Sequence, residues 1–260
     1  QLGYEKDYNY VLQGSKNYRN IFNPETKFFH PKNAKGKFIE PFDYATAGGL
    51  GAREAYGENN GWIYRWDVPH NIADLIELMG GKEAFRNNLE TMYNTPLGEA
   101  KYVFYAQLPD HTGNVGQFSM ANEPSMHIPY LYNYIGEPWR TQKRVRTLLD
   151  EWFRNDLMGL PGDEDGGGMS AFVVFSMLGF YPITPGLPIY VIGTPMFERA
   201  VIETGAGKSF EVIAHNYSPT NKYIQSAKLN GKDWNQSWFE HKELMNGGKL
   251  EFTMGNTPNK

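Results

Sequence analysis

Cysteine is absent from the 260 residues, which excludes disulfides, thiolate metal sites and cysteine nucleophiles and leaves the redox compartment open. No apolar run approaches the roughly 18 residues of a membrane span. An excess of basic charge is missing too: Lys plus Arg is 25 against 29 for Asp plus Glu, a formal charge of −4. That balance argues against a protein that lives on phosphate neutralisation, so no nucleic-acid partner is expected. The chain opens at Gln1 on a polar, aromatic stretch without a signal-peptide pattern, so an exported protein would be present in its mature form. What the chain does have is length for one large domain, or one domain with a small appendage. It also has aromatic residues at 15 % and 28 glycines. Flat indole and phenol rings suit the apolar faces of sugars, and they equally suit a Tyr-rich core; composition leaves both readings open.

The period of the apolar residues divides the chain. Tyr8, Val11, Leu12, Tyr18 and Phe22 stand near helical spacing, so the chain is expected to start inside a helix and to be a portion of a longer protein. Asn23-Pro24 ends that helix. An irregular stretch runs to about Asn60, then Ile72–Met79 and Phe85–Tyr93 predict a helix pair joined by Gly80-Gly81. A long loop from Thr95 to Asn122 leads to a short helix near Ile128–Ile135 and a strong one from Glu137 to Phe153, with Pro138 in its first turn. After a third loop, Met169–Leu178 is apolar all round and reads as a buried helix. Beyond Tyr181-Pro182 the period becomes two, with strands expected at Ile189–Ile192, Phe210–Ala214, Ile224–Leu229 and Leu250–Met254. Asn230-Gly231 signals a hairpin. The chain therefore reads as mainly α with a β appendage: residues 1–182 helical, residues 183–260 a small antiparallel β unit.

Three loops carry the candidate chemistry, and in each a bland reading stands beside the functional one. The first holds Glu54 and Glu58, then Asn59, Asn60, Trp62, Tyr64, Trp66 and His70. Glu58 is either a solvated carboxylate or, with its pKa raised by Trp62 and Trp66, a general acid. The second, Gly116 to His127, offers Gln117, Asn122 and Glu123, hard oxygen donors suited to calcium; Asn122 and Glu123 are equally well placed as a helix cap and a first-turn acid. The third sets Asp163, Glu164 and Asp165 side by side before Gly166-Gly167-Gly168, where mutual repulsion calls for a cation, a proton or solvent. It lacks the ligand positions of an EF-hand. Gly49-Leu50-Gly51 lacks the third glycine of a dinucleotide loop, and neither a nucleophile elbow nor a zinc helix occurs. His30, His111, His215 and His241 stand singly and read as structural.

In order along the chain, these motifs resemble the C-terminal part of the family 92 glycoside hydrolases, calcium-dependent exo-acting alpha-mannosidases. The resemblance rests on Glu58-Asn59-Asn60-Gly61-Trp62 with Tyr64, Trp66 and Val68-Pro69-His70, on Asn122-Glu123-Pro124-Ser125 with His127, and on Leu131-Tyr132-Asn133-Tyr134. It continues through Gly162-Asp163-Glu164-Asp165, Met169-Ser170-Ala171, Leu178–Pro182 and Tyr223–Ala227. It implies the later part of an (α/α)6 toroid followed by the β unit, with an upstream N-terminal β-sandwich portion, on the same or a separate chain, completing the active site.

The resemblance further implies hydrolysis of alpha-linked mannosides from the non-reducing end of a glycan, with inversion. Glu58 matches the general acid, and Asp163 with Asp165 the carboxylates that activate water. Inversion needs about 6.5 to 9.5 Å between acid and base carboxyls. Trp62, Trp66, His70 and His127 match sugar-contacting positions, and Gln117, Asn122 and Glu123 the region that binds Ca2+. A secreted or periplasmic location is implied as well. The sequence departs from the family pattern at Asp67, Asn71, Met126, Gly166 and Gly168, which leaves two alternatives: a non-catalytic mannan-binding or scaffolding protein on the same fold, or a toroid glycosidase of different sugar specificity.

Overall fold

The computed structural model describes residues 3–49 and 55–260. Glu54 lies outside the described residues. The chain forms two compact units, Gln1–His111 with Val115–Phe118, and Thr112–Asn114 with Ser119–Lys260.

In the first unit, helix α1 spans Glu5–Gly14 and buries none of its residues. The expected continuation to Phe22 is broken at Ser15, and Phe22 instead opens strand β1 (Phe22–Asn23), which pairs antiparallel with β2 (Phe28–Phe29). The short helix α2 (Gly61–Tyr64) follows the first candidate loop. The expected helix pair is present as α3 (Ile72–Leu78) and α4 (Lys82–Asn94), joined at Gly80-Gly81. Leu75, Phe85, Leu89 and Met92 from the pair are fully or almost fully buried, as the 3.6-residue spacing requires. A further helix, α5 (Lys101–Gln107), lies inside the stretch expected to be loop; its seven residues bury Phe104 alone, too little to create an apolar stripe.

The second unit contains α6 (Pro138–Trp152), which begins with proline at its first position as expected. It also contains α7 (Gly168–Leu178), which buries Met169, Phe172 and Ser176. The expectation of burial all round is corrected here: Ala171 and Val174 face outward, Val174 at 56 % exposure. The period change near Ile183 falls within this unit. There β3 (Phe180–Tyr181), β4 (Ile189–Ile192) and β9 (Trp238–Glu240) form a three-stranded sheet in the order β9-β4-β3.

A five-stranded sheet contains β5 (Arg199–Gly205), β6 (Lys208–His215), β7 (Tyr223–Leu229), β8 (Lys232–Asp233) and β10 (Gly248–Gly255), in the order β8-β7-β10-β6-β5. Asn230-Gly231, both at positive φ, close the β7–β8 hairpin. The unit is not purely antiparallel. Strand β10 runs parallel to β6, Leu250 opposite Val212, because the chain crosses over through β7, β8, β9 and helix α8 (His241–Met245) before returning. Phe180, Phe210, Phe239 and Phe252 make the shared core of the two sheets, each fully buried. No helix among the described residues is long and apolar enough to cross a membrane.

Candidate active site

In the first unit, Glu58 is exposed, while the two residues after it, Asn59 and Asn60, are completely buried. Their amides hold the loop. Asn60 Oδ1 accepts the Trp62 backbone N–H at 3.1 Å and so caps α2, while Asn60 Nδ2 donates to Ala45 O at 2.9 Å and to Gln117 Oε1 at 3.0 Å. Asn59 Nδ2 meets His111 Nδ1 at 3.2 Å, and His111 Nε2 meets Gln117 O at 2.9 Å. Because a carbonyl can only accept, Nε2 carries the proton and Nδ1 accepts from Asn59. His111 is fully buried, and burial lowers its pKa to about 4. The neutral imidazole is therefore a fixed strut between the Glu58 loop and the Gln117 loop. The single-histidine reading of His111 as structural holds, and its position beside Asn59 adds why it matters.

The surroundings of Glu58 differ from the expected pair of indoles. Trp62 is half-buried, edge-on to Phe28 at 5.0 Å. Trp66, expected to contact sugar and to press on Glu58, is fully buried instead, its ring 5.2 Å from Phe85 and its Nε1 3.1 Å from Met92 Sδ. A side chain without accessible surface cannot cover a sugar ring, so Trp66 is a core residue. Glu58 is held from the other side: its backbone N–H donates to the Tyr64 hydroxyl at 3.2 Å. Next to Trp62, the Arg65 guanidinium is caged by rings, 4.0 Å from the Phe28 centroid and 5.6 Å from that of Trp62. Burial lowers its pKa to about 9. Its role as a support beneath Trp62 carries no signal in the sequence, because Phe28 and Asn88, which accepts from it at 2.8 Å, are distant along the chain. His70 is exposed, its Nε2 bonded to Ser15 O at 2.9 Å.

In the second unit the acidic loop lies against the Asn122-Glu123 segment. Thr112 Oγ1 donates to Pro161 O at 2.7 Å, and a Cβ at Gly162 would stand 2.3 Å from Ala121 O. A Cβ at Gly168 would meet Glu123 Oε1 at 2.5 Å, so glycine here lets that carboxylate reach the first residue of α7. The three adjacent acids separate by function. Glu164 turns inward, where its carboxylate accepts the backbone N–H groups of Gly167 and, at 2.9 Å, Ser170. The Ser170 side chain first, and then these backbone bonds, lower its pKa. Asp163 and Asp165 stay exposed, Asp165 in the left-handed region at φ +50°. Repulsion among the three is thus relieved by the helix N-terminus, a device that the sequence reading did not assign.

Gln117 is 2 % exposed in the first unit, its Nε2 donating to Pro96 O at 2.8 Å. Asn122, 3 % exposed in the second unit, accepts the Glu123 N–H at 2.9 Å through Oδ1, the cap geometry foreseen as its bland alternative. Met126 and His127 are buried, and the Tyr181 hydroxyl donates to Met126 Sδ at 3.6 Å. Burial, with the Glu123 charge nearby, pushes the Tyr181 pKa up to about 12. No group of three or more His, Asp or Glu side chains that could hold a metal occurs among the described residues. Taken singly, Gln117 in the first unit and Asn122 in the second each carry an amide oxygen, and Glu123 in the second a carboxylate, donor types that calcium accepts. A carbonyl oxygen accepts two bonds, so the Asn60 bond to Gln117 Oε1 does not exclude a cation there.

Residues 1–256 match the model of the glycosyl hydrolase family 92 catalytic domain. A family GH92 alpha-mannosidase of Bacteroides thetaiotaomicron, solved in complex with mannoimidazole, superposes with a TM-score of 0.90 at 35 % identity over 99 % of this chain and 34 % of that one. An inverting family GH92 mannosidase of the same organism gives 0.84 at 34 % identity, over 99 % of this chain and 35 % of that one. A protein of Arthroderma benhamiae described as an uncharacterized secreted glycosidase is 30 % identical, over 97 % of this chain and 33 % of its own length. The chain spans about a third of the length of these relatives. With its family model covering nearly every residue, the chain belongs to glycosyl hydrolase family 92.

Proposed function

We propose that the protein containing this chain is an inverting exo-alpha-mannosidase assisted by calcium. The observation that carries the reading is the buried Asn59–His111–Gln117 network, which holds an exposed carboxylate at Glu58 in a chain of this family. Glu58 gives its proton to the glycosidic oxygen as the C1–O bond breaks. Asp165, with Asp163 beside it, takes a proton from the water that forms the new bond to C1 on the opposite face. The product is beta-mannose. Half-buried Trp62, with His70 and His127, are the proposed sugar contacts; Trp66 acts only through the core beneath them.

Gln117, Asn122 and Glu123 are the proposed holders of calcium, which when bound would grip sugar hydroxyl oxygens, orient the ring and help distort it toward the oxocarbenium-like state. Residues 1–182 are assigned to the later part of an (α/α)6 toroid and 183–260 to its β appendage. An upstream β-sandwich portion completes the site. The secreted glycosidase among the relatives supports a location outside the cytoplasm. Glu58→Gln in the full-length protein tests the assignment. It should cut turnover of mannosides with poor leaving groups by about 10²–10⁴-fold, while an activated aryl mannoside, whose leaving group needs no proton, is largely spared. Equal losses on both would remove Glu58 from the acid role.

A further inference from the structure

The second unit carries a feature that the hydrolytic reading leaves unused. Trp234-Asn235-Gln236-Ser237-Trp238 separates two clefts, of about 440 and 360 Å³, and Gln236 and Ser237 line both. Both volumes are in the range of small-molecule sites. Trp234 stands in the larger cleft with Gln225 and Asn259, and Trp238 in the smaller with Asn133, Tyr134 and Gln236. The segment is fixed. Trp234 Nε1 donates to Trp238 O at 2.9 Å, Ile192 N donates to Ser237 O at 2.8 Å, and Trp238 pairs with Val191 on edge strand β9. Phe239 points into the core while Trp238 keeps 37 % of its surface exposed, the in-and-out alternation of a strand.

The chemistry of the lining selects the ligand. Among the described residues no Lys or Arg lines either cleft, and Asp233 is the one carboxylate, which disfavours phosphates and other anions. Indole faces flanked by amides suit a neutral polyol, whose C–H faces stack on rings while its hydroxyls bond amides. Asn133 fixes the wall of the smaller cleft. It is 8 % exposed, its Nδ2 donates to Ile192 O at 2.7 Å, and its Oδ1 has no hydrogen-bond partner. The amide orientation is fixed by that donor bond, so the orphaned atom is an acceptor. That oxygen is enclosed by protein, so Asn133 serves to hold Ile192 at the cleft wall rather than to meet a ligand.

We infer that this face is a non-catalytic binding site for a mannose-containing oligosaccharide, separate from the residues assigned to hydrolysis. The choice of mannose rests on the function proposed above; the site itself rests on the clefts. It holds the polymer near the enzyme and so acts on long glycans, not on small substrates.

The test is affinity electrophoresis of the full-length protein in gels containing alpha-mannan, with Trp238→Ala and Gln236→Ala compared with wild type, alongside turnover of an aryl alpha-mannoside. Trp238→Ala should weaken retardation by about tenfold, as expected for loss of an aromatic platform, and Gln236→Ala by less. Aryl mannoside turnover should stay within about twofold of wild type. Undiminished retardation in Trp238→Ala overturns the site, as does equal retardation by a beta-glucan gel. Loss of both retardation and turnover with an unchanged melting midpoint overturns its separateness. Retardation that depends on Trp238 in a protein without any mannosidase turnover sinks the catalytic reading and leaves this site standing.

Discussion

Acidification should undo the first unit through a single buried imidazole. His111 Nδ1 accepts from Asn59 Nδ2 at 3.2 Å, and a proton on Nδ1 would set donor against donor in a place closed to solvent. The folded pKa is lowered to about 4 from an ordinary 6.5. Between these values the unfolded chain binds a proton that the folded chain refuses, so stability is complete above about pH 6.5 and is lost as pH falls towards 4. At 1.36 kcal/mol per unit the loss amounts to about 3 kcal/mol. His111→Phe removes the titration. It keeps a ring beside Phe104, 5.3 Å away in the native protein, but leaves Gln117 O without its donor and Asn59 Nδ2 with only Asp110 O at 3.3 Å. The variant should therefore be about 2–4 kcal/mol less stable than wild type near pH 7.5, and nearly equal to it at pH 4. Urea unfolding followed by tryptophan fluorescence across that range reads the gap, and NMR of the imidazole reads the titration directly. A gap that stays constant with pH, or an imidazole that titrates near 6.5, would refute the buried-strut account.

In the second unit, Gly168→Ala should displace the Glu123 carboxylate, which stands 2.5 Å from the new Cβ position, and so weaken calcium affinity while Asp163 and Asp165 remain in place; calorimetric titration of calcium with unchanged affinity would contradict this. Glu164→Gln should lose the charge that the α7 N-terminus favours, lowering the melting midpoint at neutral pH. Since the Glu164 pKa is lowered by folding, its contribution is present above the ordinary carboxylate range and is lost as pH falls through the lowered folded value, so the two proteins should melt alike once the pH is below that value. Curves that stay apart there would count against the capping role.

Elements with strong local signals were legible in the sequence: the α3–α4 pair from its spacing and Gly80-Gly81, α6 from Pro138, the β7–β8 hairpin from Asn230-Gly231. Features set by distant contacts were not. Trp66 lies in the same motif as Trp62, and only the packing of Phe85 and Met92 decides that one indole is buried and the other half-exposed. The parallel pairing of β10 with β6 depends on a crossover of more than thirty residues, which period-two alternation cannot report. The apolar run Met169–Leu178 gave a helix correctly but not its outward face at Val174. At the candidate site, the carboxylates and amides could be named from their motifs. The strut His111, 52 residues from Asn59, and the locking of Glu164 onto α7 belong to tertiary structure.

The central claim is tested most directly by following with NMR the anomer released from alpha-linked mannobiose by the full-length protein, first with calcium and then with a chelator. Beta-mannose as the first product, vanishing on chelation and returning with added calcium, is the predicted result. Alpha-mannose as the first product would contradict inversion, and turnover unaffected by the chelator would contradict the role given to Gln117, Asn122 and Glu123.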